Sequence, residues 1–209
     1  MSVNPKPHPY VLWFITVGVI LNTVVIGFVL YRLLQLEAVA VPISDEVQQQ
    51  IEQDMQEEEA KKLRTHYIKT VAKRYKKDEK FVTKVVHAVV KYERESFPKA
   101  ADLIAIIGVE SSWNKNAVSN LKKDPAVGLT QIRPKAWSHK IPPGDLKTVD
   151  DQVRWSAYIL HHYYKRTGSV EDAVIAYNIG LRARMEGRTN QNYLMKYQRE
   201  KTILVDTSV

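Results

Sequence analysis

From Tyr10 to Leu30 the chain carries no charged side chain, and that run limits what its N-terminal segment can become. Rising about 1.5 Å per residue as a helix, it is long enough to cross a hydrocarbon core of about 30 Å. Tyr10, Trp13 and Tyr31 stand near its ends, where amphipathic rings prefer the interface. The run reads as one transmembrane helix over residues 10–31, preceded by a tail of residues 1–9, so a lipid membrane is the first expected partner. A cleaved signal peptide is the competing reading, because Ala38-Val39-Ala40 has the small-x-small form of a cleavage site. The apolar run, however, exceeds the roughly 7–15 residues of a signal core, and Arg32 and Glu37 intervene. A buried helix of a soluble protein is the third option, though such long uncharged runs are rare there. Charge does not orient the segment, since Lys6 lies on one side and Arg32 on the other.

Beyond this run the charges are segregated. Residues 32–60 form an acidic spacer, with Glu37, Asp45, Glu46, Glu52, Asp54, Glu57, Glu58 and Glu59 and no Lys or Arg after Arg32. It is expected to be helical from about Ser44, with Ser44 as N-cap and acids in the first turn. Val47, Ile51 and Met55 make a weak stripe over 44–60 that suits a partner helix, although a solvated linker helix fits equally well. The sign reverses in the region 61–97, which opens with Lys61, Lys62, Arg64, Lys69, Lys73, Arg74, Lys76, Lys77 and Lys80. The stretch 61–80 can dock on anionic lipid or on the acidic spacer. Nucleic acid is disfavoured there but not excluded, and a solvated helix face is the plain alternative. The whole chain has net charge +8, which favours an anionic partner without choosing among nucleic acid, lipid and an acidic polymer such as a cell wall. With no cysteine, thiolate chemistry and disulfides are excluded.

Asp78 is placed to cap a helix whose Phe81, Val82, Val85, Val86, Val89 and Tyr92 recur at helical spacing. Pro98 marks the start of the next element. Ala100 to Ser111 reads as a helix with Leu103, Ile104, Ile106 and Ile107 apolar, and Glu110 shares the face of the last two. A carboxyl on an apolar face, near the negative end of the helix dipole, resists ionisation. Its pKa is expected to rise, as a general acid working near neutral pH requires. By itself the feature also fits an ordinary exposed glutamate at a helix end.

Three further motifs surround it. Glu110-Ser111-Ser112-Trp113 is followed by Ser119, by Ala126-Val127-Gly128-Leu129-Thr130-Gln131-Ile132-Arg133-Pro134, and by Ala176-Tyr177-Asn178-Ile179-Gly180, with Tyr193 beyond. In this order they resemble the catalytic domain of the family 1 lytic transglycosylases, the soluble-lytic-transglycosylase type related in fold to goose-type lysozyme, over roughly Pro98 to Tyr197. The resemblance implies a single acid and base, Glu110. It also implies substrate-binding roles for Ser119, Gln131, Tyr177, Asn178 and Tyr193, with Ser119 holding the N-acetyl group of the reacting sugar and Tyr193 facing the acid. Two departures stand out. Thr130 replaces the family's usual methionine, and the stretch Asn120–Pro125 is longer than is typical.

Most glycosidases use two carboxylates, but no second one has an obvious place here. Asp124 is nearest in sequence, in a Lys-Lys-Asp-Pro turn where a capping role is favoured. Ser169 with Asp172 reads as a capping box. The adjacent His161 and His162, on a helix capped near Asp150, lack the spacing a metal requires, so no metal and no cofactor are expected. Arg182, Arg184 and Arg188 form a basic edge that suits either acidic peptide stems or solvent. The fold class that follows is mainly α: a lysozyme-like catalytic domain over 98–209, with a short hairpin or loop near 121–132, preceded by a transmembrane helix and a helical spacer. The leading functional expectation is a membrane-anchored enzyme whose partner is the peptidoglycan glycan strand. It would cleave the MurNAc-β-1,4-GlcNAc bond to a 1,6-anhydro product on the periplasmic or wall side of a bacterial inner membrane, or in a phage virion. A goose-type muramidase hydrolysing that bond, or a structural or channel-forming protein whose domain only binds glycan, are the alternatives.

Overall fold

The computed structural model describes residues 26–27 and 44–205. Apart from those first two residues, the expected transmembrane helix over 10–31 lies outside the described residues. No described helix is long and apolar enough to cross a membrane. The chain divides into two units, Met1–Gln56 and Glu57–Val209, and the second carries the motifs.

Helix α1, Asp45–Tyr75, begins as the residues dictate. The Ser44 hydroxyl accepts from the Val47 N–H (3.4 Å), Asp45 and Glu46 occupy the first turn, and Lys73 and Arg74 occupy the last. Both ends therefore complement the helix dipole. Spacer and basic stretch thus share one continuous helix. Its first half is exposed, including Val47, Ile51 and Met55, and burial starts only where Tyr67, Val71 and Ala72 meet the core.

Helix α2, Glu79–Tyr92, is capped by Asp78, whose carboxylate accepts from the Phe81 N–H (3.0 Å). Its Val82, Val85, Val86 and Val89 are buried as their spacing requires. Helix α3, Ala100–Ser111, is buried continuously from Ala100 to Gly108, and its one acid in that stretch, Asp102, is held by the Tyr197 hydroxyl (2.5 Å) and by Lys201 (2.7 Å). Gly108 is required there, since a Cβ would collide with the Tyr75 hydroxyl. Helices α4 (Val149–Thr167), α5 (Val170–Ile179), α6 (Leu181–Met185) and α7 (Gln191–Val205) complete the unit. Most of them pack around α3 or its neighbours, and α7 lies along α3 itself. The fold is mainly α, with no regular strand among the described residues.

Some local expectations shift. The segment near 121–132 is a loop held by isolated antiparallel bridges, Val118 with Val127 and Val127 with Ile132. Helix α4, expected to be capped near Asp150, takes Thr148 as its cap. The Thr148 hydroxyl accepts from the Asp151 N–H (3.1 Å), while Asp150 sits in the first turn and ties α4 to α2 through Lys91 (3.1 Å) and the Tyr92 hydroxyl (2.5 Å). Ser169 does cap α5 (3.3 Å from the Asp172 N–H). Asp172 also pairs with Arg184, and Glu186 takes both Arg182 and Arg188. The basic edge is therefore largely neutralised from within.

Candidate active site

Glu110 lies in the last turn of α3. The helix is stopped just beyond it by two successive non-glycine residues in the left-handed region, Ser112 (φ 49°) and Trp113 (φ 62°). Such a conformation is rare for a bulky side chain, costs about 1–3 kcal/mol and persists only where surrounding packing enforces it. Here Trp113 is buried beside Tyr75 (ring centroids 6.2 Å apart), and its indole N–H has no hydrogen-bond partner among the described residues. The reward for this awkward turn is position: the Glu110 side chain reaches a cavity of about 300 Å³.

The cavity wall contains Glu110, Ser119, Gln131, Tyr177 and Asn178, so the structure brings these sequence-selected residues together. Gln131 stands in the left-handed region (φ 49°), and its amide nitrogen donates to the carbonyls of Ala117 (3.1 Å) and Gly128 (2.9 Å). The amide oxygen is what remains for a ligand. The Ser119 hydroxyl accepts from the Ala126 N–H (2.8 Å) and keeps its proton to donate. The Tyr177 hydroxyl is committed, donating to the Thr130 carbonyl (2.8 Å) with Ser156 Oγ at 3.1 Å. Its ring borders the cavity while its oxygen ties α5 to the loop. Thr130 itself is fully buried, with its hydroxyl on the Gln152 carbonyl (3.2 Å). At this position the chain offers the cavity no side chain.

Tyr193 approaches from α7. Its hydroxyl donates to Glu110 Oε1 at 2.5 Å. Burial pushes the Glu110 carboxyl up to about 7, and the Tyr193 hydrogen bond, which favours the ionised form, works against that rise. Burial and the nearby Glu110 carboxylate hold Tyr193 well above the usual phenol range, so it stays a donor. Glu110 is the single carboxylate in the cavity wall among the described residues. Asp124 is drawn into the loop instead, where its buried oxygens accept from the Lys135 (2.9 Å) and Ala136 (3.0 Å) N–H groups, and Arg133 pairs with it at 3.3 Å.

Several contributors escape the sequence reading. Asn190 caps α7, accepting from the Tyr193 N–H (3.1 Å), and its own amide donates to Asn178 (2.8 Å). One residue thus links the Asn178 side of the cavity to the tyrosine on the acid. Its signal was present, an asparagine just ahead of a helical segment. Trp137, Tyr163, Ile159 and Arg133 also line the wall. Trp137 carried a faint signal as a large aromatic in a loop, and Tyr163 carried none. His161 serves structure, with its Nδ1 on the Phe97 carbonyl (2.8 Å), and His162 lies among aromatic rings. No cluster of metal-ligating side chains occurs among the described residues.

The family model described as "Transglycosylase SLT domain" matches residues 88–199, just over half of the 209 residues. The match begins within α2, ahead of the Pro98 start that the motifs alone suggest. No curated protein and no solved structure matches the chain.

Proposed function

We propose, for a chain that belongs to the transglycosylase SLT domain family, that Glu110 acts alone as acid and then base in non-hydrolytic cleavage of the MurNAc-β-1,4-GlcNAc bond. The observation that carries this reading is a half-buried carboxyl in a cavity wall, its pKa raised to about 7, that accepts a hydrogen bond from the Tyr193 hydroxyl. Protonated Glu110 donates to the glycosidic oxygen, and the C1–O bond breaks with its electrons leaving on that oxygen. The substrate's N-acetyl oxygen stabilises the electron-poor C1, and Ser119 is placed to hold that group. Ionised Glu110 then takes the proton of the sugar's own 6-hydroxyl as that oxygen attacks C1. The 1,6-anhydro ring closes, Glu110 regains its proton, and no water is consumed. Gln131 and Asn178 orient the sugar by hydrogen bonding, and the Tyr177 ring supplies a wall. A second carboxylate has no task in this sequence, which accords with the structural use of Asp124.

Mass spectrometry of sacculi digested by the chain tests this. Anhydro-muramic ends are expected, lighter by one water than reducing ends, and Glu110→Gln should abolish them. Reducing muramic ends would mean hydrolysis instead. Glycan binding by a wild type that cuts nothing would leave only a binding protein.

The uncharged run over 10–31 further supports a membrane anchor with the domain on the wall side, in a bacterial inner membrane or a phage virion. Because the chain has no cysteine, a single Lys122→Cys variant gives a clean topology probe. Labelling by an impermeant thiol reagent in intact spheroplasts is expected, and labelling only after lysis refutes this topology.

A further inference from the structure

We propose that a ledge of aromatic side chains, running out of the cavity along α4 and the loop after Pro134, is a binding subsite for the part of the glycan strand that lies beyond the cleaved bond. The inference rests on the glycan-cleaving reading above and names where its polymer continues.

The first ground is size. A cavity of about 300 Å³ is at the lower end of the roughly 300–1,000 Å³ of small-ligand sites, so a polymeric strand bonded at Glu110 must run on past it. The second is continuity. Trp137 and Tyr163 belong to the cavity wall, and their rings are 5.8 Å apart. From Trp137 the aromatic surface goes on to His139 (5.7 Å, near-parallel), to Tyr158 (6.4 Å, edge-on) and to His162 (6.1 Å, edge-on). Tyr158 in turn meets Trp155 at 5.5 Å. Tyr163 is buried, Trp137, Tyr158, His162 and Trp155 are partly exposed, and His139 is exposed. Large aromatics left partly open to solvent in one connected group are informative where scattered ones are not. Their flat apolar faces with polar edges suit the C–H faces and hydroxyls of sugar rings.

The third ground is charge. Burial, together with the nearby positive charges of Arg166 and Lys140, lowers the His162 pKa, so two cations border the ledge. Those cations complement the carboxylates of a peptide attached to the strand. The ledge therefore fits a peptide-substituted amino-sugar polymer better than a neutral one.

Two variants and one background separate this inference from the parent reading. In the full chain, Trp155→Ala and Tyr158→Ser, both outside the cavity wall, are compared on long peptidoglycan strands and on a short tetrasaccharide muropeptide. The ratio of kcat/KM, long over short, is expected to fall about tenfold, mostly through KM, and Trp155→Phe should restore most of it. An equal fall on both substrates, or no fall, overturns the ledge. Binding of the Glu110→Gln chain to sacculi, with and without Tyr158→Ser, reads the ledge independently of cleavage. Weaker binding in the double variant supports it even where the wild type proves catalytically inert, an outcome that sinks the enzymatic reading alone. Unchanged binding overturns the ledge even where cleavage is normal.

Discussion

Replacing Tyr193 by phenylalanine keeps the buried ring and deletes one hydrogen bond, the 2.5 Å contact from its hydroxyl to Glu110 Oε1. Two opposed influences set the proton affinity of Glu110: burial raises it and this hydrogen bond lowers it, with the balance at about 7. A hydrogen bond to a charged group contributes about 1.5–3 kcal/mol, which at about 1.4 kcal/mol per pKa unit is one to two units. The hydroxyl favours the carboxylate over the acid, so its loss should move the midpoint upward, from about 7 to about 8–9. Because the free enzyme must start with Glu110 protonated, the alkaline limb of kcat/KM against pH reports this group. That limb should move to higher pH in Tyr193→Phe. Below the limb, kcat should fall about ten- to a hundredfold, since the carboxylate formed as the proton leaves loses its donor in the transition state. The assay is digestion of sacculi across pH, paired with an NMR titration of the Glu110 carboxyl carbon in the same chain. A limb that stays put or moves to lower pH would refute the balance of burial against hydrogen bonding.

The same carboxyl has a signature in stability. Glu110 is raised from an ordinary 4.5 to about 7, so the stability its neutral form contributes is complete below about pH 4.5 and lost as pH rises through 7. Glu110→Gln, neutral throughout, should therefore match wild type in urea denaturation near pH 4.5 and exceed it by up to about 3 kcal/mol at pH 8. A gap independent of pH would falsify the desolvated acid. Gly128→Ala should lose about 2–4 kcal/mol, seen as a lower Tm, because Gly128 stands at φ +73° and a Cβ would strike the Gln152 amide. That amide cannot step aside freely, since it accepts from the Leu129 N–H (2.8 Å) and donates to the Leu146 carbonyl (2.9 Å). Asp124→Ala strips the acceptor from the Lys135 and Ala136 N–H groups, and should cost about 2–3 kcal/mol in thermal or urea unfolding. KM should rise with it, because the same loop carries Trp137 into the cavity wall. Unchanged KM in a folded Asp124→Ala chain would mean that the loop is held by other contacts.

What could be read in advance divides along physical lines. Local signals were legible: the valine stripe of α2, the bounds of α3, and the caps at Ser44, Asp78 and Ser169 all depend on residues within a turn or two of one another. The cap of α4, expected near Asp150, falls on Thr148, while Asp150 in the first turn binds Lys91 and Tyr92 of α2, a long-range contact with no local signal. Across the site, helical spacing could put Glu110 on an apolar face, but no spacing rule brings a tyrosine 83 positions away to its oxygen. That pairing entered only through motif resemblance. Spacing could not assign Trp137 and Tyr163 to the wall, because their place there depends on a loop folding onto α4, a contact with no periodic trace. Trp113 stood in the Glu110-Ser111-Ser112-Trp113 motif, but its left-handed φ just past the end of α3 has no local signal.

A lone carboxylate that first gives and then takes a proton cannot be optimised for either step. Walls of apolar residues alone would make Glu110 a reluctant donor, and an open, hydrated setting would leave it ionised before substrate arrived. In the proposed mechanism both demands are met through two elements that share no local sequence. Helix α3 supplies the burial, and α7 supplies one hydroxyl whose own proton is locked on by burial and by the neighbouring carboxylate. Asn190 then has a weightier task than its place outside the cavity wall suggests, since it caps the helix that aims the hydroxyl and bonds to Asn178 of that wall. If the two-step proton economy is correct, loosening that cap should disturb the pH profile in the same direction as deleting the hydroxyl. Asn190→Ala is therefore expected to move the alkaline limb upward by less than Tyr193→Phe does. Loss of Tm with no movement of the limb would assign Asn190 to folding alone.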